Sequence, residues 1–333
     1  MTHLRQLTAR HESLALARPF RISRGTKTAA DVVVVEIAEG AMTGRGEGVP
    51  YPRYGESVAS ALAAIESQRT AIECGLTRAA LLESMPAGAA RNAIDCAMWD
   101  LEMRLAGASL FAQLGLPDPP RPVATALTVG LDTPAAMAAA ARALADVPLI
   151  KVKVDGTDPA ALISAVREAA PNPRLIVDPN ESWSMAQLEA LQERLVELRV
   201  DLLEQPLPAE AQEGLRGFRS AVPIAADESI HCAADLDTLP DGYRAINIKL
   251  DKAGGLTGAL DLMREARSRD LAVMTGCMVS SSLSIAPALA LAAGSDFVDL
   301  DGPLWLAEDR RGGIVCQGGM IGLESPGFWG SAG

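Results

Sequence analysis

From residue 123 onward, short apolar runs alternate with longer stretches in which apolar residues recur every three or four positions. Runs of that length bounded by turn residues predict buried strands, the longer stretches predict amphipathic helices, and their regular alternation predicts a parallel α/β barrel. Eight strands are expected, at 123–129, 149–154, 174–178, 201–205, 224–228, 245–250, 272–277 and 297–301. Helix starts are marked by Asp158-Pro159, an N-cap followed by a first-turn proline, and by Ser184 with Gln187 in a capping box. The helix after Ser184 lines up Leu188, Leu191, Leu195 and Leu198 on one face. Of the connections, only 231–240 reads weakly as a helix. About 30 glycine-rich residues follow the eighth strand, too few for an eighth barrel helix, so residues 305–333 are expected to run back to the N-terminal region.

Residues 1–118 lack that rhythm and predict a separate α+β capping domain. Strands are expected at 14–22 and 31–38, joined through Ser23-Arg24-Gly25-Thr26-Lys27-Thr28, whose polarity and glycine predict a mobile loop. The stretch Gly44-Arg45-Gly46-Glu47-Gly48 lacks the GK[ST] ending and the dinucleotide spacing, so it is no phosphate loop. Helices follow, one carrying Val58, Leu62 and Ile65, another over 89–105 that stops at Gly107. The proline-rich segment 117–122 cannot continue a helix and marks the boundary to a (β/α)7β TIM-like barrel over 119–304.

Composition narrows the partners. With 49% hydrophobic residues and a mean hydropathy of +0.15 the 333-residue chain can fill a large core. A formal net charge of −12 argues against nucleic acid and anionic membranes, which both demand clustered Lys and Arg. Cys74, Cys96, Cys232, Cys277 and Cys316 are scattered without CxxC spacing, which predicts reduced thiols rather than disulfides or zinc. With no apolar leader or membrane-length run, the expected location is the cytoplasm. A homo-oligomer is compatible with the sequence.

Charges occupy the ends of the predicted strands. Lys151 and Lys153, Asp178, Glu204, Asp227 and Lys249 follow one another at intervals of about 22 to 26 residues, one barrel repeat each. Active sites of such barrels gather at the C-terminal strand ends. Strand alternation separates Lys151 and Lys153 from Ile150, Val152 and Val154, so the lysines point inward while the apolar residues meet the helices. The second and sixth strands face each other across a closed barrel, which opposes Lys151 and Lys153 to Lys249. Asp178, Glu204 and Asp227 lie on the arc between them, and three converging carboxylates call for an oxygen-seeking divalent cation such as Mg2+. A metal between opposed lysines suits removal of a proton beside a carboxylate; return from the other face inverts the carbon. One lysine must then be neutral, a state that the cation and the other lysines favour. His3, His11 and His231 fall at no inward strand end. Asp299 and Asp301, alternating around Leu300, are expected to face inward and to attract a substrate cation; a cap or loop anchor is the competing account.

These residues resemble the successive signatures of the enolase superfamily, muconate-lactonizing-enzyme subgroup: Lys151-Val152-Lys153, Asp178-Pro179-Asn180, Glu204-Gln205-Pro206, Asp227-Glu228-Ser229 and Lys249 to Gly255. Asp299-Leu300-Asp301 resembles the mark of its dipeptide epimerases, in particular those acting on L-Ala-D/L-Glu in cell-wall peptide metabolism. The resemblance implies that Asp178, Glu204 and Asp227 bind Mg2+, that Lys153 and Lys249 are the acid/base pair, and that Lys151 supports an enediolate electrostatically. It also implies that Asp299 and Asp301 hold the ammonium of a dipeptide substrate and that Arg24 meets the acidic side chain of its second residue. Cys277 and Met278 are expected to shape the pocket. Pro179, where the family often has alanine, leaves Asp178 untouched. Alternatives in the same subgroup are N-acylamino acid racemase, o-succinylbenzoate synthase and cycloisomerase. More distant ones are a Schiff-base lyase or aldolase and a non-catalytic binding barrel.

Overall fold

A computed structural model of the chain describes residues 4–331. It opens with a long antiparallel hairpin, β1 (Gln6–Ile22) and β2 (Gly25–Glu39), to which β3 (Met42–Gly48) adds antiparallel to β2. The strands are longer than their apolar cores suggested. Residues 25–28, expected in a mobile loop, belong to β2, where Lys27 pairs with Phe20 and Thr26 with Arg21. A register shift between Ala15 and Phe20 breaks the alternation that would have revealed the strand.

The glycines of β3 serve packing. A Cβ on Gly44, Gly46 or Gly48 would lie 2.1 Å from a backbone carbonyl, of Ala97, Ala93 and Ala89 respectively. Alternate glycines thus let one helix press its backbone against the strand. Short helices α1 (Val58–Ser67), α2 (Arg69–Glu73) and α3 (Arg78–Ser84) precede that helix, α4 (Ala89–Ala106), which ends at Gly107 in the left-handed region, φ 62°. Then α5 (Leu110–Gln113) leads to the boundary segment.

The first expected barrel strand is split. Val123–Ala124 (β4) turns away to a small antiparallel sheet, and only Leu127–Val129 (β5) enters the barrel. The parallel order then runs β6 (Leu149–Lys153), β7 (Arg174–Asp178), β8 (Leu202–Glu204), β9 (Ile224–Ala226), β10 (Ala245–Lys249), β11 (Ala272–Gly276) and β12 (Phe297–Asp299). The Ala126 amide donating to Val298 O at 2.7 Å closes the ring. Three helices, α6 (Pro134–Arg142), α7 (Pro159–Ala169) and α8 (Met185–Glu197), wrap the first half; α7 starts on Asp158 and α8 on the Ser184–Gln187 box, as the sequence indicates. The connections after β8 and β9 contain only 3-10 turns, Ala209–Leu215 and Ala233–Asp237. A helix was expected after β8; Pro206, Pro208, Gly214 and Gly217 interrupt it. Helices resume with α9 (Leu250–Ala253), α10 (Leu256–Ser268) and α11 (Ser282–Ala292).

After β12 the chain forms a hairpin, β13 (Ile314–Gln317) and β14 (Met320–Leu323), that pairs with β4. It then reaches the N-terminal sheet, where Trp329 Nε1 donates to Arg45 O at 2.8 Å. Buried Glu47 of β3 accepts from the Ser281 amide at 2.8 Å and pairs with Arg310, and Asp251 accepts from Val49 N and Asn92 Nδ2, each at 2.8 Å. These bonds seat the N-terminal sheet and α4 over the C-terminal ends of the barrel strands. Among the described residues no helix is long and apolar enough to cross a membrane.

Candidate active site

Inside the barrel, one apolar layer is followed by one polar layer. Ala126, Leu149, Ile176, Leu202, Ala225, Ala245, Met274 and Phe297 form a buried cluster at the barrel floor. Two positions further along their strands stand Lys151, Asp178, Glu204, Asp227, Asn247 and Asp299, and after another two come Lys153 and Lys249. The strand period of two carries each from floor to mouth. Side-chain burial is near complete: Asp178 and Glu204 are 0% exposed and Lys151 is 2%.

The charges interlock. Lys151 Nζ lies 2.7 Å from Glu204, 2.8 Å from Asp299 and 3.0 Å from Asp178. Lys153 Nζ lies 2.5 Å from Asp178 Oδ2, its neighbour in the β6–β7 register. On the far side Lys249 Nζ is 2.7 Å from Asp227, which also accepts from Lys252 Nζ at 2.6 Å. Burial opposes the charged form of Lys151, yet Asp299, Glu204 and Asp178 hold its pKa well above the usual lysine value. Lys249 is likewise raised, against burial, by Asp227 and Glu204. Glu204 is pushed up to about 7 by burial and by the neighbouring carboxylate of Asp178. Its Oε2 accepts no hydrogen bond although Lys151 is close. Among the described residues no three Asp, Glu, His or Cys side chains converge as a ready metal cage; ammonium groups stand between the carboxylates.

A cavity of about 270 Å³ opens above this layer. Lys151, Lys153, Lys249 and Asp227 reach its wall, as do Asp299 and Asp301, whereas Asp178 and Glu204 lie beneath it. Asp299 offers a buried Oδ1 that accepts no hydrogen bond. Asp301 lies just past β12, accepts from Thr128 N at 2.8 Å and Trp305 Nε1 at 3.3 Å, and is pushed up to about 6 by burial and by Asp299. Cys277 and Met278 line the wall beside them, and burial pushes the Cys277 thiol up, away from a reactive thiolate.

Arg24 sits at the hairpin tip on the cavity rim, but its guanidinium is engaged. Nη1 lies 2.7 Å from Glu228 and 2.9 Å from Glu181, and it donates to Asn180 O at 3.2 Å. Arg53 meets the same Glu181 at 2.8 Å. Several residues of the site carried no separate signal in the sequence. Asn247 donates to Glu204 Oε1 at 2.8 Å, in a space that a Cβ on Gly276 would close. Gln205 Oε1 accepts from Asp227 N at 2.9 Å and so fixes the end of β9. Tyr51, Tyr54 and Lys27 come to the cavity from the N-terminal region. The inward phase of Asn247 was readable from strand alternation; the others depend on contacts between distant segments.

Comparison with known proteins agrees with this architecture. The family "Mandelate racemase / muconate lactonizing enzyme, N-terminal domain" matches residues 4–115, and "Enolase C-terminal domain-like" matches residues 135–326. The L-Ala-D/L-Glu epimerase of Escherichia coli strain K12 is 47% identical over 322 residues, 96% of this chain and 100% of that protein. An N-acetyl-D-glutamate racemase of Pseudoalteromonas sp. is 41% identical, covering 90% of this chain and 96% of its own. An enolase family member from Agrobacterium tumefaciens with homology to dipeptide epimerases, solved with bound sodium, L-Ala-L-Glu and an ordered loop, superposes with a TM-score of 0.95 at 47% identity, covering 98% of this chain and 100% of that one. A dipeptide epimerase from Enterococcus faecalis V583, complexed with Mg and L-Leu-L-Tyr, gives 0.88 at 30% identity, with 99% of each chain covered. With both halves matched and the strand-end charges in place, the chain belongs to the mandelate racemase / muconate lactonizing enzyme family of the enolase superfamily and is an isomerase of its racemase and epimerase kind.

Proposed function

We propose that this enzyme is a Mg2+-dependent dipeptide epimerase that inverts the Cα of the C-terminal residue, with L-Ala-D/L-Glu as its substrate pair. The observation that carries this reading is the entry of Lys153 and Lys249 into one cavity from β6 and β10, strands on opposite sides of the closed barrel. A single binding site has no use for two opposed amines, whereas inversion of a carbon needs one on each face.

Asp178, Glu204 and Asp227 would hold Mg2+. They offer hard oxygen donors only, each is buried, and the Glu204 pKa, raised first by burial and then by the Asp178 carboxylate, marks negative charge that a cation would offset. When bound, the ion supplies positive charge to the substrate carboxylate. In either direction one lysine takes the Cα proton as a neutral amine and the other, as ammonium, delivers a proton to the opposite face. Lys151, held charged among its three carboxylates, supplies fixed positive charge beside the enediolate that proton removal creates. Asp299 Oδ1 and Asp301 accept the substrate ammonium at the eighth strand. The tip of the β1–β2 hairpin lines the cavity and would exclude water from a bound substrate.

A second reading is racemisation of an N-acylglutamate, supported by the N-acetyl-D-glutamate racemase relative. That substrate has no ammonium, so the Asp299–Asp301 pair favours the dipeptide. Both readings share a glutamate at the reacting centre. We place the activity in the cytoplasm, in the breakdown of cell-wall peptides, in accord with five free cysteines. A dipeptide library with Mg2+ in deuterated water tests the proposal by mass spectrometry: L-Ala-L-Glu should gain one deuterium, and exchange by N-acetylglutamate but by no dipeptide would overturn it.

A further inference from the structure

Just past Asp301 the chain makes a tight turn. Gly302–Trp305 is a 3-10 turn stiffened by Pro303, with the Leu304 amide donating to Asp301 O at 2.9 Å. The turn returns Trp305 to its own starting residue, where Nε1 donates to Asp301 Oδ2 at 3.3 Å. From β5 the Thr128 amide donates to the same oxygen at 2.8 Å. Asp301 lines the cavity, whereas Trp305, 4% exposed, stands behind it and off the wall. Of the four tryptophans, Trp183 and Trp329 donate to backbone carbonyls and Trp99 to the Thr257 hydroxyl; Trp305 donates to a carboxylate.

Strand β1 grips that indole. The β1–β2 register breaks between Ala15 and Phe20, and there β1 joins the segment after Asp301 instead: Leu16 bridges Leu306, and the Ala307 amide donates to Ala15 O at 2.8 Å. The Arg18 guanidinium lies 4.4 Å from the ring centroid, and the Phe20 ring meets it edge-on at 4.6 Å and 73°. A ring held on these sides has one direction for its N–H. Asp301 faces Asp299 of β12, Cys277 at the end of β11 and Cys316 of β13, while Lys151 pairs with Asp299. Burial and Asp299 oppose the charged form of Asp301; Thr128 and Trp305 favour it. We propose that Trp305 is a positioning residue for substrate binding: clamped by Arg18 and Phe20, its N–H fixes the Asp301 carboxylate in the orientation that accepts the ammonium of the dipeptide. This rests on the dipeptide epimerase reading and adds to it the residue through which β1 sets the ammonium subsite. It also gives the register break in β1 a purpose, since the residues that leave the β2 ladder are the ones that hold the indole.

The test measures kcat and KM for L-Ala-L-Glu and for propionyl-L-Glu, the same skeleton without the ammonium, or Ki where the latter is not turned over. The proteins are the wild type, Trp305→Phe, Asp301→Asn and the double variant. Trp305→Phe keeps a packed ring and loses the N–H. It should raise KM for L-Ala-L-Glu by about five- to tenfold, the worth of one hydrogen bond, with kcat little changed and propionyl-L-Glu unaffected. Its KM should begin to climb at a higher pH than in the wild type, because loss of the donor makes the Asp301 carboxylate harder to ionise. In the Asp301→Asn background the same substitution should add nothing. Equal losses on both compounds, an unmoved pH dependence, or a further loss in the Asp301→Asn background would overturn the inference and leave Trp305 a packing residue. If Trp305→Phe does not fold, NMR of the wild type with isotope-labelled tryptophan decides. The indole N–H signal that Asp301→Asn displaces should shift with L-Ala-L-Glu and not with propionyl-L-Glu; the absence of such a shift would overturn the inference. A wild type that handles propionyl-L-Glu as well as L-Ala-L-Glu would instead remove the ammonium reading on which it rests.

Discussion

Lys151 on the second barrel strand reaches Asp299 on the eighth, Nζ to Oδ2 at 2.8 Å, and ties both to Glu204 and Asp178. Replacing Lys151 by Met removes the one cation common to three buried carboxylates. Loss of one partner of a buried pair costs about 3–5 kcal/mol, so the denaturation midpoint of Lys151→Met should fall accordingly. Mg2+ should return more stability to this variant than it adds to the wild type, because the metal then meets uncompensated carboxylates. Equal Mg2+ effects on both proteins, read by urea or thermal denaturation, would count against a metal site on Asp178 and Glu204.

Asp301 sets a pH window. Its pKa in the fold is about 6, above the ordinary aspartate value, so its carboxylate is present above that pH and lost as pH falls through it. A dipeptide ammonium then loses its counter-ion, and KM should climb by up to about tenfold per unit below the pKa. Between pH 7 and 8 Asp301 should contribute no slope. Asp301→Asn should show a high KM throughout and none of this dependence, and a flat wild-type KM from pH 5 to 8 would contradict the role.

Gly46 is a packing requirement. A methyl group there meets the Ala93 carbonyl at 2.1 Å, backbone against backbone, with no side chain to swing aside. Gly46→Ala should therefore cost on the order of 3 kcal/mol or more, measured by denaturant unfolding. A near-normal stability would mean that α4 shifts freely on β3, which the Glu47 and Asp251 anchors to the barrel oppose.

The ladder of lysines and carboxylates was legible because it obeys two local rules, a strand period of two and a charge at or near the end of each apolar run. Lys153, Asp178, Glu204 and Lys249 end their strands, Lys151 stands two residues before the end of β6, and Asp227 follows directly after β9. The hairpin was less legible. β1 is an edge strand with solvent on much of both faces, and its register shift hides the alternation near Phe20, so residues 25–28 read as a loop. The strand β3 read as a glycine-rich link because its alternate side chains are missing for the sake of α4. Arg24 was visible as a loop cation, yet Glu181 and Glu228, its partners, lie far along the chain, and no local pattern announces such a pairing.

The central claim is that Lys153 and Lys249 work on opposite faces of one carbon. Cα hydrogen exchange and inversion can be followed separately for L-Ala-L-Glu and L-Ala-D-Glu in deuterated water with Mg2+, using Lys153→Ala and Lys249→Ala. Each variant should lose inversion in both directions by about 10²–10⁴-fold, the range for removal of a positioned acid or base. Residual exchange without inversion should survive for only one isomer in one variant and for the other isomer in the other. Near-normal inversion by either variant, or exchange of the same isomer in both, would contradict the two-base assignment.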